Sequence, residues 1–221
     1  GHADGICHVY IDRHADLDMA VRIAVDSKTQ YVAVCNAAET ILVHQAVAAG
    51  VLPGLKTALE ARGVEIRGCE RTRALIDAAA AVEQDWRTEY LDLIVSVGVV
   101  DDLDAAIAHI NRYGSGHTDV IVTADRARAL RFMDYVDAAD VFWNCSSRFS
   151  DGFRYGLGAE VGISTSKIHA RGPVGLEGLV IYKWRMIGSG QIVADYSGPE
   201  AKAFTHRRLT RTFDDALRAE G

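Results

Sequence analysis

The chain has 221 residues, 49% of them hydrophobic, and a formal net charge of −6. That size and composition allow one large domain, or one domain with an appendage, around a full apolar core. They exclude a broad electrostatic footprint on nucleic acid, and no apolar run reaches the ~18 residues of a membrane span.

The first residues do not read as a signal peptide. A strand is expected at 6–11, within a few residues of Gly1, and so abrupt a start suggests a segment removed upstream. A helix follows at 15–29, with Leu17, Ala20, Val21, Ala24 and Val25 on one face. Lys28 is expected on that helix's surface. A turn carries Cys35, and a strand follows at 40–44. Ala46 to Arg62 reads as a second helix that Gly63 stops, with Pro53 marking a start or break. Val64–Ile66 is a short strand, Arg71–Val82 an alanine-rich helix, and 83–92 polar and irregular. Leu93–Val100 is a continuous apolar run, suited to a sheet buried on both faces. Asp101 and Asp102 open a helix that runs to Arg112. A strand at 120–122, a helix at 125–135 and a strand at 141–143 complete the alternation. Strands alternating with helices in this way predict an α/β fold with a parallel sheet flanked by helices. Residues 144–178 are glycine-rich, and a stretch of that kind is usually functional or wraps a neighbour. The runs 179–187 and 191–196, joined by Gly188-Ser189-Gly190, predict a β-hairpin. Residues 198–221 read as a charged, loosely held helical tail.

The four cysteines, Cys7, Cys35, Cys69 and Cys145, match no zinc or CxxC spacing, and the chain is too long for a disulfide scaffold. A reducing cytoplasm is the expected compartment. The histidines have no ligand spacing, so no metal is expected. Cys35 admits two readings. It sits where a packed helix gives way to a strand, beside the amide of Asn36, which is how a covalent nucleophile is held toward a substrate. The other reading, which position alone favours, is a small buried hydrophobe, as most free cysteines are.

Ordered stretches narrow that choice. They are Asp4 to Tyr10, Cys35-Asn36-Ala37-Ala38-Glu39-Thr40, Asp101 to Asn111, Gly114-Ser115-Gly116-His117-Thr118, Ser147-Arg148-Phe149, Gly156 to Thr165 and His169-Ala170-Arg171-Gly172-Pro173. On these the chain resembles the aldehyde dehydrogenase superfamily and, within it, the γ-glutamyl phosphate reductase branch (glutamate-5-semialdehyde dehydrogenase), over its C-terminal half only. The resemblance implies four parts. Residues 1–155 would be a catalytic α/β domain, and 156–178 a glycine-rich segment returning toward the cofactor domain. Residues 179–197 would be an oligomerisation hairpin and 198–221 the tail.

It also implies an oxidoreductase of proline biosynthesis. NADPH would reduce L-glutamyl 5-phosphate to L-glutamate 5-semialdehyde and phosphate, through a thioester on Cys35. Asn36 would stand next to the nucleophile at the oxyanion, Glu89 would bind the nicotinamide ribose, and Arg148 with Ser147 and Ser146 would bind the anionic substrate. His2 would stand where oxidising relatives carry a general-base Glu, which favours reduction over oxidation to a free acid. Tyr31-Val32 replace a proline common in the family after Gln30. A homo-oligomer is implied through the hairpin, with no nucleic-acid or membrane partner. The alternatives are a fragment of a general aldehyde dehydrogenase and a non-catalytic oligomerising module. By itself the segment is expected to be inactive, for want of most of the cofactor site.

Overall fold

Successive residues of a strand point to opposite faces, so a strand covered on both sides must be apolar throughout. The computed structural model, which describes residues 4–167, 170–206, 208 and 210, is built on strands of this kind. They are β1 (Cys7–Ile11), β2 (Ala38–His44), β3 (Glu65–Gly68), β4 (Ala79–Ala80), β5 (Ile94–Val100), β6 (Thr118–Val122) and β7 (Asp140–Trp143). Their order across the sheet is β4-β3-β5-β2-β1-β6-β7, and every neighbouring pair is parallel.

The connecting helices are α1 (Leu17–Thr29), α2 (Gln45–Glu60), α3 (Glu70–Arg73), α4 (Leu103–Tyr113) and α5 (Arg126–Tyr135). Val9, Ile11, Ile41, Val43, Val120 and Val122 face one side, where α1 and α2 contribute Ala20, Ala24, Leu52, Leu55 and Leu59. The alternate residues Tyr10, Leu42 and Ile121 face the other side, against Ala106, Ile107, Ile110 and Phe132 of α4 and α5. Asp16, Asp102 and Asp125 each accept a backbone N–H at the start of α1, α4 and α5. Gly63, at φ +75°, takes the left-handed turn beyond α2.

Three expectations change. Pro53 lies inside α2, which continues unbroken to Glu60. The alanine-rich run 71–82 is not one helix, because α3 stops at Arg73 and Ala79–Ala80 pair with Arg67–Gly68 at the sheet edge. Open backbone groups on β3 outweigh alanine's helix preference. The expected hairpin is also absent as strands. Leu179 closes a 3₁₀ turn, 180–192 hold no strand, and Val193–Tyr196 form another 3₁₀ turn. A two-stranded hairpin alone is marginal in water without a third strand or a packed face.

The chain divides into two units, Gly1–Ile181 and Tyr182–Gly221. In the first, the glycine-rich segment adds a small antiparallel pair, β8 (Ile163–Ser164) with β9 (Gly172–Pro173). In the second, Tyr196 stacks on Phe204 at 4.9 Å, and Lys202 pairs with Asp195 at 2.7 Å. Its described residues contain no α-helix, and the rest of the expected helical tail, 211–221, lies outside them. No helix among the described residues is long and apolar enough to cross a membrane.

Candidate active site

Strands β5, β2 and β1 are parallel neighbours in the middle of the sheet, so the segments that enter them lie side by side at one end of the strands. Those segments carry Glu89, Cys35 and Gly5, which are remote in sequence. Gly5 touches the Cys35 backbone so closely that a Cβ there would fall 2.1 Å from the Cys35 carbonyl oxygen. The same carbonyl accepts the Cys7 thiol at 3.1 Å, and Cys7 is fully buried. The backbone of the turn is therefore pinned while its side chain is exposed to solvent. Of the two readings left open for Cys35, the structure removes the buried hydrophobe.

Desolvation by neighbouring atoms pushes the Cys35 thiol up, Glu89 and Glu160 add to this, and Arg148 opposes it. These groups therefore share one electrostatic environment. Glu89 is half-buried, and its carboxyl is raised first by desolvation and then by Asp4, while the Gly5 amide and Lys28 lower it.

After β7 the chain doubles back, and Ser150 Oγ donates to Asp140 at the start of that strand at 2.8 Å. This return brings 146–150 against the Cys35 turn. Ser147 Oγ donates to the Asn36 carbonyl at 2.6 Å, and Asn36 Nδ2 donates to the Ser150 carbonyl at 2.7 Å. Ser146 Oγ accepts from Ser27 Oγ and from the Arg148 amide, both at 3.2 Å. Asn36, Ser146 and Ser147 are thus buried joinery of the turn through these bonds, while Asn36 Oδ1 is buried without a hydrogen-bond partner. Arg148 differs. It is 9% exposed, its Nε donates to Gln30 Oε1 at 2.9 Å, and no carboxylate among the described residues pairs with it. Burial and the nearby Arg154 lower its pKa, while Asp151, the Cys35 thiol and Asp26 oppose this.

Lys28 is not on the helix surface. It is fully buried and pairs at 2.6 Å with Glu39, which is also fully buried. His2 lies outside the described residues. Among those residues no three His, Cys, Asp or Glu side chains gather as metal ligands. A groove of about 1060 Å³ follows α1 past Gln30 to Ser146 and Phe149, and neither Cys35 nor Glu89 lines it.

No family model matches the chain. A curated γ-glutamyl phosphate reductase of Pelotomaculum thermopropionicum is 68% identical over 213 residues, which is 96% of this chain and 49% of that protein. The chain is homologous to half of a γ-glutamyl phosphate reductase. The solved γ-glutamyl phosphate reductase of Thermotoga maritima, 46% identical, superposes with a TM-score of 0.83 over 86% of this chain and 46% of its own. An acetylating aldehyde dehydrogenase of Geobacillus thermoglucosidasius, 16% identical, has a TM-score of 0.61 over 86% of this chain and 53% of its own, and shares the aldehyde dehydrogenase fold. The chain thus spans about half the length of the γ-glutamyl phosphate reductases it matches.

Three further residues, Gly5, Cys7 and Glu160, bear on the Cys35 turn. Gly5 carries no chemical signal, and Cys7 reads from the sequence as a packing residue in an apolar strand, as its full burial bears out; contact with Cys35 across 30 and 28 residues leaves no periodic signal. Glu160 acts on the Cys35 thiol from the glycine-rich segment, where its carboxylate accepts the Gly152 amide at 2.8 Å.

Proposed function

We propose that this chain is the cysteine-bearing half of a reductase of proline biosynthesis, which uses NADPH to convert L-glutamyl 5-phosphate into L-glutamate 5-semialdehyde and phosphate. The observation that carries the reading is an exposed thiol, Cys35, beside a buried guanidinium, Arg148, that lacks a carboxylate partner among the described residues. The substrate carries an acyl phosphate and an α-carboxylate, and a guanidinium suits either group through paired N–H donors.

The thiolate of Cys35 attacks the acyl carbon, the bond to the phosphate oxygen breaks, and phosphate leaves. A thioester remains on Cys35. Sulfur suits both halves of the reaction, because a thiolate is nucleophilic near neutral pH and a thioester remains electrophilic. The Cys35 backbone N–H is a candidate donor to the oxyanion, a contact of a type typically worth ~10²–10³ in rate. A bound nicotinamide would supply the hydride. The half-buried carboxylate of Glu89 fits its ribose, since an ionised carboxylate can accept both hydroxyls. Cleavage of the carbon–sulfur bond then releases the aldehyde and returns Cys35 to its starting state. Arg148 favours the thiolate over the thiol at both ends of the cycle.

In a reductase that contains this chain, Cys35→Ser is expected to abolish NADPH-dependent reduction, and retained turnover overturns the reading. Phosphate-dependent oxidation of glutamate semialdehyde is expected in reverse. Phosphate-independent oxidation of simple aldehydes would instead indicate a general aldehyde dehydrogenase. The four cysteines are free, which accords with a cytoplasmic enzyme. Self-association through 179–196 is part of the same proposal, supported by the exposure of Trp184 (89%) and Met186 (97%).

A further inference from the structure

The last turn of α1 carries Ser27, and the cap that follows it is Gln30. Residues three apart lie on one face of a helix. Both side chains grip the return after β7. Ser27 Oγ donates to Ser146 Oγ and accepts the Ser147 amide, each at 3.2 Å. Gln30 Oε1 accepts Arg148 Nε at 2.9 Å. The Arg148 backbone is held at both of its polar groups, its amide by Ser146 Oγ at 3.2 Å and its carbonyl by Arg154 Nη1 at 2.6 Å. The guanidinium therefore leaves a fixed backbone and is fixed a second time at Nε.

A guanidinium offers a bidentate acceptor two edges, a side edge that includes Nε and an end edge formed by Nη1 and Nη2. Gln30 closes the side edge. The end edge is open: neither terminal nitrogen bonds an acceptor among the described residues, and neither is fully buried. The rest of the side chain is buried, so the cation meets its surroundings through that edge. Ser147 Oγ bonds the Asn36 carbonyl at 2.6 Å, which seats this segment directly against the Cys35 turn.

We propose that Gln30 is a positioning residue: by occupying Arg148 Nε it presents the paired Nη1 and Nη2 donors end-on to one oxyanion group of the substrate. This deepens, and rests on, the reading of Arg148 as the residue that binds the anionic substrate. A phosphate and a carboxylate offer that edge the same pair of acceptor oxygens, and glutamyl phosphate carries both. Gln30 acts through Arg148. A guanidinium already held in its binding geometry loses less side-chain freedom when the anion arrives.

Steady-state kinetics of a reductase that contains this chain test the proposal in the oxidative direction, where phosphate and glutamate semialdehyde are separate reactants with separate KM values. Gln30→Met keeps the length of the side chain and removes the acceptor, and the exposure of Gln30 leaves the core undisturbed. The substitution is expected to raise the KM of one reactant about tenfold, the scale of one hydrogen bond, with the other KM and kcat little changed. A rise for phosphate supports the proposal with phosphate as the anion, and a rise for the semialdehyde supports it with the α-carboxylate. In an Arg148→Lys background, Gln30→Met is expected to add nothing, since an ammonium has no Nε edge to hold. Unchanged KM values in Gln30→Met, equal rises in both, or effects that add in the double variant overturn the proposal. Arg148→Lys with both KM values unchanged overturns the reading of Arg148 itself and the proposal with it, so the two failures are told apart.

Discussion

Gly5 has no reactive group, yet the position of Cys35 depends on it. A methyl at residue 5 would meet three backbone atoms of Cys35, all within 2.6 Å, and backbone cannot swing aside as a flexible side chain can. Overpacking of this kind commonly costs ~1–3 kcal/mol. Gly5→Ala is therefore expected to lower the thermal midpoint and to change the rate at which iodoacetamide modifies Cys35, read by peptide mass mapping. A variant with both quantities unchanged would show that the turn is not seated on Gly5.

Glu39 carries a second residue-scale expectation. Burial raises its carboxyl from 4.5 to about 7, against the pull of Lys28. Between those values the folded state holds more protons at Glu39 than the unfolded state does. The contribution of this group to stability is therefore full below pH 4.5 and is lost as pH rises through about 7. Urea unfolding of the parent chain and of Glu39→Gln should show a stability difference that declines between about pH 5 and pH 8. A difference that is flat with pH would mean that Glu39 is already ionised across that range.

At the scale of elements, the helices flanking the sheet begin on aspartates that satisfy their first N–H groups. Asp125 is the clearest, because its Oδ1 accepts from Ala127 at 2.9 Å and Arg128 at 3.1 Å. Arg128 then reaches the fully buried Asp12 through Nε and Nη2, at distances down to 2.6 Å. A cap of this kind is typically worth ~1 kcal/mol. Asp125→Ala should lower stability by about that amount in urea unfolding while leaving the Cys35 alkylation rate unchanged, since α5 starts away from the turn. Asp102 and Asp125 were legible as helix starts, because a short acceptor before an apolar periodic run is a local signal. The 71–82 segment misled for the converse reason. Its fate depends on an open edge of β3, which local composition does not report.

For the whole molecule, the outstanding feature is the apolar run beyond the sheet. Tyr182, Trp184 and Met186 are each more than 80% exposed, and their alternation would put them on one side if this segment, which holds no strand here, paired as one. A segment of this character gains its backbone partners by adding to another sheet, and the proposed occupant is a second copy of the chain. Sedimentation is expected to show self-association that Trp184→Glu with Met186→Glu abolishes. A parent chain that sediments as a monomer at all accessible concentrations would remove this assignment.

The sequence by itself determined the alternation of strands and helices and the parallel sheet, and it singled out Cys35 as the proposed nucleophile. These properties lie in local periodicity, in short capping signals and in ordered stretches of residues. Tertiary structure decided which residues meet. The adjacency of β5, β2 and β1 puts Gly5, Cys35 and Glu89 together, and the return after β7 converts Asn36, Ser146 and Ser147 into joinery while leaving Arg148 without a carboxylate. The bulge in β2 buries Lys28 with Glu39, a pairing that no spacing announces, because the burial of a charge is a property of its surroundings.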